Sequence, residues 1–181
     1  MNLREEKVSS TYYYKGKIIN MKVDEVRMPD GSLALREEVE HPGGCSIVAL
    51  TPENEVFFVR QFRYAYDEEI LEIPAGKLEP GEDPYEAMKR ELREETGCLA
   101  QSFVYLGTAY PTPGYTNELL RIWACRVSAT TEQDLDEDEF LEVVKLPLDK
   151  ALELVMNNEI ADAKSQIGIL KAANLVKEGK L

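Results

Sequence analysis

The stretch from Gly76 to Cys98, GKLEPGEDPYEAMKRELREETGC, constrains this chain more than any other. It predicts a loop followed by a capped helix. Asp83 can accept hydrogen bonds from the first free backbone N–H groups, Pro84 suits the first helical position, and Glu86 can close a capping box. Gly97 supplies the C-terminal stop. Between these ends Glu91, Glu94 and Glu95 stand at i, i+3 and i+4 and share one helix face. Met88 and Leu92 form an apolar pair with Tyr85 nearby. Arg90 is one turn from both Glu86 and Glu94 and can pair with each.

Three carboxylates on one face repel, each like-charge pair costing roughly 0.2–0.5 kcal/mol on an exposed helix. A solvated acidic face is the bland explanation. A hard divalent cation is the sharper one, because Mg²⁺ and Mn²⁺ take carboxylate oxygens together with substrate phosphates.

The full spacing favours the cation. Gly76 is followed after five residues by Glu82, and seven residues later by Arg90-Glu91-Leu92, one residue, Glu94-Glu95, one residue, and Gly97-Cys98. This pattern resembles the Nudix box, the signature of the Nudix hydrolases. Cys98 stands where the family usually carries a larger aliphatic residue, a departure that bears on packing. The resemblance implies a metal-dependent hydrolase that cuts a nucleoside diphosphate linked to another group.

The rest of the chain bounds that expectation. Its 181 residues suggest one domain with a small extension, and 44% hydrophobic residues suffice for a core. A net charge of −13 argues against a nucleic-acid partner. It leaves room for a small phosphorylated substrate. Cys45, Cys98 and Cys125 show no metal spacing and read as reduced core thiols. With no long apolar run and no apolar leader in MNLREEKVSS, neither a membrane span nor export is expected, and the location expected is cytoplasmic.

Residues 11–40 predict a β-hairpin. Ile19, Met21, Val23 and Val26 alternate, with a slip near the end, and Pro29-Asp30-Gly31 is a turn before the return from Leu33 to Val39. A hairpin this small must pack on something else. Tyr12-Tyr13-Tyr14 suit strand packing, or stacking on a nucleobase. His41, the single histidine, has no ligand partner in sequence and reads as structural beside Pro42-Gly43.

Ser46–Leu50 and Val56–Phe62 predict two strands around a Pro-Glu-Asn turn. Arg60 and Arg63 follow; Arg suits bidentate phosphate recognition, while strand-end charges facing water are the simpler alternative. Strands are also expected near Val104–Leu106, Leu119–Val127 and Glu142–Val144. Pro147 opens a helix with Leu148, Ala151, Leu152 and Val155 at core spacing. Asp162 can cap a last helix striped by Ile169, Ala172, Ala173 and Val176.

Between two of these strands Pro113 lies sixteen residues beyond Gly97. That proline, with Gly114, an aromatic and Glu118, resembles the ADP-ribose pyrophosphatase subgroup of the Nudix hydrolases. So do Arg36-Glu37, Gln61-Phe62-Arg63 and Glu72-Ile73-Pro74-Ala75-Gly76. The run TTEQDLDEDE, residues 130–139, lacks the glycine an EF-hand needs. In that subgroup a flexible acidic loop here supplies a glutamate to the metal or to the attacking water. Glu137 and Glu139 are the matching positions, with the choice between them open.

The resemblance thus implies an α/β (α+β) Nudix fold: a mixed β-sheet sandwiched between helices, preceded by an antiparallel β-extension. Residues 1–41 would be the extension and a dimerisation element, residues 42–181 the hydrolase domain, and the assembly a homodimer. It implies hydrolysis of ADP-ribose to AMP and ribose 5-phosphate with Mg²⁺, or Mn²⁺ in its place. The metal ligands would come from Glu91, Glu95, Glu94, the Ala75 carbonyl, Glu82 and Glu139. Catalytic work would fall to Glu94, Glu137 or Glu139, with Arg90 holding carboxylates in place. Substrate would meet Arg63 at the diphosphate, Arg36 and Glu37 towards adenosine, and the Pro113 and Glu118 loop. Another nucleotide sugar such as GDP-mannose is the alternative substrate, and a non-catalytic nucleotide sensor the alternative class.

Overall fold

Gly44–Leu50 (β4) is buried along its whole length. A strand buried throughout, with Ser46 its one polar side chain, needs cover on both faces. In the computed structural model, which describes residues 2–135 and 139–181, that cover is helical. Cys45, Ile47 and Ala49 point one way, into a cluster with Phe57, Trp123, Cys125 and the helix residues Ala87, Met88 and Leu92. Val48 and Leu50 point the other way, among Phe58, Ile122, Leu148, Ala151, Ile169 and Ala172.

The contacts divide the chain into two compact units. The larger comprises Gly44–Ala109 and Leu120–Leu181. Around β4, numbering strands in chain order, lie Glu55–Arg63 (β5), Glu68–Glu72 (β6), Ala75–Lys77 (β7), Phe103–Ala109 (β9), Leu120–Arg126 (β10) and Leu141–Pro147 (β12). The sheet runs β12-β5-β4-β10-β9, with β6 paired to β5 and β7 to β4. Only β4 and β10 pair in parallel, so the sheet is mixed. Cys98–Leu99 (β8) and Ala129–Thr130 (β11) form a separate short ladder. Helix α1, Pro84–Thr96, covers one face, and α2, Leu148–Met156, with α3, Ala163–Lys177, covers the other. This is the expected sandwich.

Helix α1 begins and ends where local chemistry predicts. Asp83 accepts from the N–H groups of Tyr85 and Glu86, Pro84 follows, and Gly97 closes the helix at φ 68°. Two expectations are corrected. Glu86 is engaged by Lys89 Nζ at 2.9 Å, and no bond from Glu86 back to the Asp83 N–H is found, so the reciprocal half of the capping box is not formed. Arg90 pairs with Glu82 in place of Glu86, because the preceding loop brings that carboxylate beside it.

The smaller unit comprises Met1–Gly43 and Tyr110–Leu119. It holds three antiparallel strands, Glu6–Lys15 (β1), Asn20–Arg27 (β2) and Leu33–Glu40 (β3). The expected hairpin is therefore one strand short. β1 is exposed throughout, so it carries no alternation to betray it. The phase of β2 also differs from expectation. Lys22, Asp24 and Val26 are buried, whereas Ile19 and Met21 are 38% and 40% exposed. Charge pairing explains this: Lys22 meets Glu40 at 2.7 Å and Glu38 at 3.3 Å, and Asp24 accepts from Ser10 Oγ at 2.5 Å. A satisfied ionic row can close a face as well as an apolar one. Among the described residues no helix is long and apolar enough to cross a membrane.

Candidate active site

The carboxylate row of α1 is half buried and half paired. Glu91 and Glu95 are 8% and 3% exposed. Both face β7, whose backbone receives them closely. The Ala75 N–H donates to Glu95 Oε2 at 2.9 Å. Gly76 leaves room for Glu91, since a Cβ there would meet the Glu91 carboxyl at 1.9 Å. Arg90 then gathers three carboxylates: Nε reaches Glu82 at 3.0 Å, and Nη1 reaches Glu94 at 2.8 Å and Glu91 at 3.0 Å.

Burial pushes the Glu91 carboxyl up to about 7, against the pull of Arg90, with Glu139 and Glu94 raising it further. Glu95 is pushed up to about 8, again chiefly by burial, with the Ala75 N–H opposing and Glu91 and Glu139 adding to the rise. Glu82, hydrogen-bonded to Arg90, is held below the usual carboxylate range. Two buried acids that resist ionisation beside a third carboxylate need more positive charge than Arg90 alone provides. A divalent cation with oxygen preference supplies it, so the donor set fits such an ion. Among the described residues no three carboxyl, histidine or cysteine groups already stand in ligand geometry; Arg90 draws Glu82 and Glu94 to itself.

Glu139 comes from the segment after β11, and its charge is felt at both Glu91 and Glu95. Glu137 lies outside the described residues. The start of this segment is bound to the end of α1, which sequence reasoning missed. Gln133 Nε2 donates to the Glu95 carbonyl at 2.6 Å, and the Asp134 N–H to the Glu94 carbonyl at 3.0 Å. Thr131 N–H donates to the Gly97 carbonyl at 2.7 Å. These carbonyls are left unpaired by the helix itself. Nothing in the run TTEQ predicts which carbonyls it would find.

Arg63, at the end of β5, forks onto Glu72 through Nε and Nη2, at 2.5 and 2.7 Å. Its side chain remains 41% exposed. Lys164 also grips Glu72, in a buried contact that the sequence did not announce. Arg60 faces water and meets Glu142 at 3.4 Å, so the simpler explanation holds for it.

The other candidate substrate residues belong to the smaller unit. Arg36 binds Glu5 through Nε at 2.9 Å and Nη2 at 2.6 Å. Glu37 is its neighbour on β3 and therefore points to the opposite sheet face. Pro113 is exposed in a turn. Glu118 lies 3.6 Å from His41 Nδ1, but that nitrogen accepts the Gly43 N–H at 3.0 Å, so the histidine serves the local chain path.

A cleft of about 300 Å³ runs beside Glu86, Lys89 and Arg93, over Leu92, Cys98 and Phe103. Its cations are already paired with Glu86, Glu94 and Asp134, and it does not open on the buried carboxyls.

Comparison with known proteins identifies the family. Residues 40–166 match the NUDIX domain, and residues 5–39 match the nucleoside diphosphate sugar hydrolase N-terminal domain. An ADP-ribose pyrophosphatase of Bacillus subtilis (strain 168) is 38% identical over 93% of this chain and 92% of its own. A methanol dehydrogenase activator of Bacillus methanolicus is 36% identical over 91% of this chain and 90% of its own. A GDP-mannose pyrophosphatase of Yersinia enterocolitica is 30% identical over 91% and 90%. A crystal structure of an ADP compounds hydrolase superposes over 100% of both chains with a TM-score of 0.84, at 20% identity, which speaks to fold alone. With the domain match covering most of its length and the acidic helix folded against Ala75 and Gly76, the chain belongs to the Nudix hydrolase family.

Proposed function

We propose that this protein is a divalent-metal-dependent pyrophosphohydrolase that cleaves ADP-ribose to AMP and ribose 5-phosphate. The observation that carries the proposal is the pair of buried acids, Glu91 and Glu95, raised to about 7 and 8 against the backbone of Ala75 and Gly76. The relatives named ADP-ribose pyrophosphatases, in Bacillus subtilis and Mycobacterium tuberculosis, support the choice of substrate.

Glu91, Glu95 and the Ala75 carbonyl would hold the metal, with Glu82, Glu94 and Glu139 at its margin. A bound Mg²⁺ or Mn²⁺ would neutralise diphosphate charge and acidify the attacking water. Arg90 fixes Glu82, Glu91 and Glu94 in orientation. Glu139, or Glu137 outside the described residues, would take the proton as water adds to one phosphorus and the P–O–P bridge breaks, its electrons leaving with the departing phosphate. Arg63, oriented by Glu72, presents its exposed edge to the diphosphate. Arg36, Glu37, Pro113 and Glu118 are the candidate contacts on the smaller unit. Three free, buried thiols suit a reducing compartment, and we place the enzyme in the cytoplasm.

The smaller unit also supports a homodimer. Leu33, Leu35 and Met21 are exposed on the sheet face opposite the ionic row, and residues 1–41 would be the dimerisation element. The relatives named GDP-mannose pyrophosphatases favour a second substrate reading. A panel of ADP-ribose, ADP-glucose, GDP-mannose and NADH, each with Mg²⁺ and with excess chelator, decides among these. The proposal expects preferred turnover of ADP-ribose and none in chelator. Full turnover in chelator, or preference for GDP-mannose, would overturn it.

A further inference from the structure

We propose that Ser165, in the first turn of α3, is a positioning residue for the metal site, acting through the strand end Ile73–Gly76. The inference rests on the proposed metal role of Ala75 and Glu95.

Four backbone polar groups of this strand end have partners outside it. Ile73 N–H donates to Ser165 Oγ at 2.8 Å, Ile47 N–H to the Pro74 carbonyl at 3.0 Å, and Ala75 N–H to Glu95 Oε2 at 2.9 Å. Cys45 Sγ lies 3.6 Å from the Gly76 carbonyl. Ser165 thus sets Ile73 from the α3 side while Glu95 meets Ala75 from the α1 side. The carbonyl of Ala75 belongs to the residue that the second anchor holds.

Ser165 is itself fixed. It is fully buried, and its Oγ donates to Asp162 Oδ2, the helix N-cap, at 2.5 Å. The next residue back, Lys164, meets Asp162 at 3.0 Å and grips Glu72, the residue just before Ile73. One helix turn therefore holds two consecutive residues of the chain that leads to Ala75. Gly168, one turn further along the same face, explains how α3 comes close enough. A Cβ there would meet Val48 Cγ2 at 2.9 Å and Ile73 Cδ1 at 3.1 Å. An apolar side chain at position 165 could not accept the Ile73 N–H and would leave that buried donor without its partner, and serine is a weaker helix former than alanine. The hydroxyl is there for the bond.

Loss of that bond frees Ile73, and the Ala75 carbonyl and N–H shift relative to Glu95. Groups that orient metal ligands are worth about 10- to 100-fold in affinity or activity when removed. The test uses the full-length chain and compares Ser165→Ala, Ser165→Cys, Ser165→Thr and Gln166→Ala. Mn²⁺ affinity is read by electron paramagnetic resonance without substrate, kcat and KM for ADP-ribose in saturating Mg²⁺, and folding by thermal melting. Gln166 bonds Asn158 and the Ile160 carbonyl, so its loss damages the start of α3 without touching Ile73.

Ser165→Ala should weaken Mn²⁺ binding and lower kcat by about 10-fold or more each, with KM within about twofold. Ser165→Cys, of similar size but a poor acceptor, should do the same and decides the matter if the alanine variant does not fold. Ser165→Thr should recover both quantities, and Gln166→Ala should leave them unchanged. A folded Ser165→Ala or Ser165→Cys protein with wild-type Mn²⁺ affinity and kcat would overturn the inference. Equal losses in Gln166→Ala would overturn it as well. Wild-type protein that neither binds Mn²⁺ nor requires metal would instead overturn the proposed function on which it rests.

Discussion

The Glu91 carboxyl lies against the α-carbon of Gly76, so close that a methyl there would meet it at 1.9 Å. A glycine in the strand and a glutamate in the helix therefore form one unit. Gly76→Ala should drive the carboxyl out of its seat. We expect kcat/KM to fall about 10- to 100-fold. The metal-free protein should melt within about 4 °C of wild type, because the displaced carboxyl can move towards water. Steady-state kinetics beside a melting curve check both; unchanged kinetics would show that Glu91 does not need this position.

Glu95→Gln retains an acceptor for the Ala75 N–H but removes a charge. As the proposed metal ligand, Glu95 should cost at least ~10²-fold in kcat when replaced, about 2.7 kcal/mol of transition-state stabilisation. Lys89→Gln is the control on the same helix, since Lys89 pairs with the exposed Glu86 and lies over the Tyr85 ring, with contact to neither Glu91 nor Glu95 among the described residues. Its kcat should stay within about twofold. Equal, mild losses in the two variants would mean that the buried Glu95 carboxyl serves the fold and not the chemistry.

Glu139→Gln tests the acidic segment. A general base contributes typically ~10²- to 10⁴-fold. The variant should lose at least the lower figure in kcat and also lose the acidic limb of the pH–rate profile. An intact limb would transfer the proton to another group.

Stability towards acid should depend on Glu72. Burial raises its carboxyl, but hydrogen bonds from Arg63 and the charge of Lys164 outweigh that, so it ends below its ordinary value of 4.5. A depressed carboxylate stabilises the fold above the unfolded value and loses that contribution as pH falls through the folded one. Glu72→Gln leaves Lys164 with Asp162 as its remaining ionic partner, at a cost of about 2 kcal/mol near pH 7 for the lost charged hydrogen bond, with half-exposed Arg63 adding little. The gap in melting temperature between the two proteins should narrow as pH drops below about 4.5. A gap that stays constant from pH 7 to pH 3 would contradict the assignment.

Leu35 is 66% exposed and Leu33 54% exposed on one face of β3. Leu35→Glu should convert the proposed dimer to a monomer at micromolar concentration, measured by light scattering after gel filtration. An unchanged dimer would place the interface elsewhere, and a monomeric wild type would remove it.

What the sequence determined by itself lies within a few residues of its cause. Asp83, Pro84 and Gly97 bound α1 because caps and a left-handed stop are local. Glu91, Glu94 and Glu95 share a face because 3.6 residues make a turn. The box spacing then carried the family, since it encodes helix and loop together.

Tertiary structure decided the partners. Arg90 had Glu86 and Glu94 within a turn, and the loop supplied Glu82 in place of Glu86. Alternation in β2 located a strand but not its buried side, because Glu38, Glu40 and Ser10 on other strands neutralise Lys22 and Asp24. Gln133 reaches Glu95, and Ser165 reaches Ile73 across 92 positions. A hydroxyl or amide can bond any carbonyl or N–H within reach, so its residue type carries no address. Only the packing of α3 on the sheet, and of the acidic segment on α1, brings one particular group to hydrogen-bond distance.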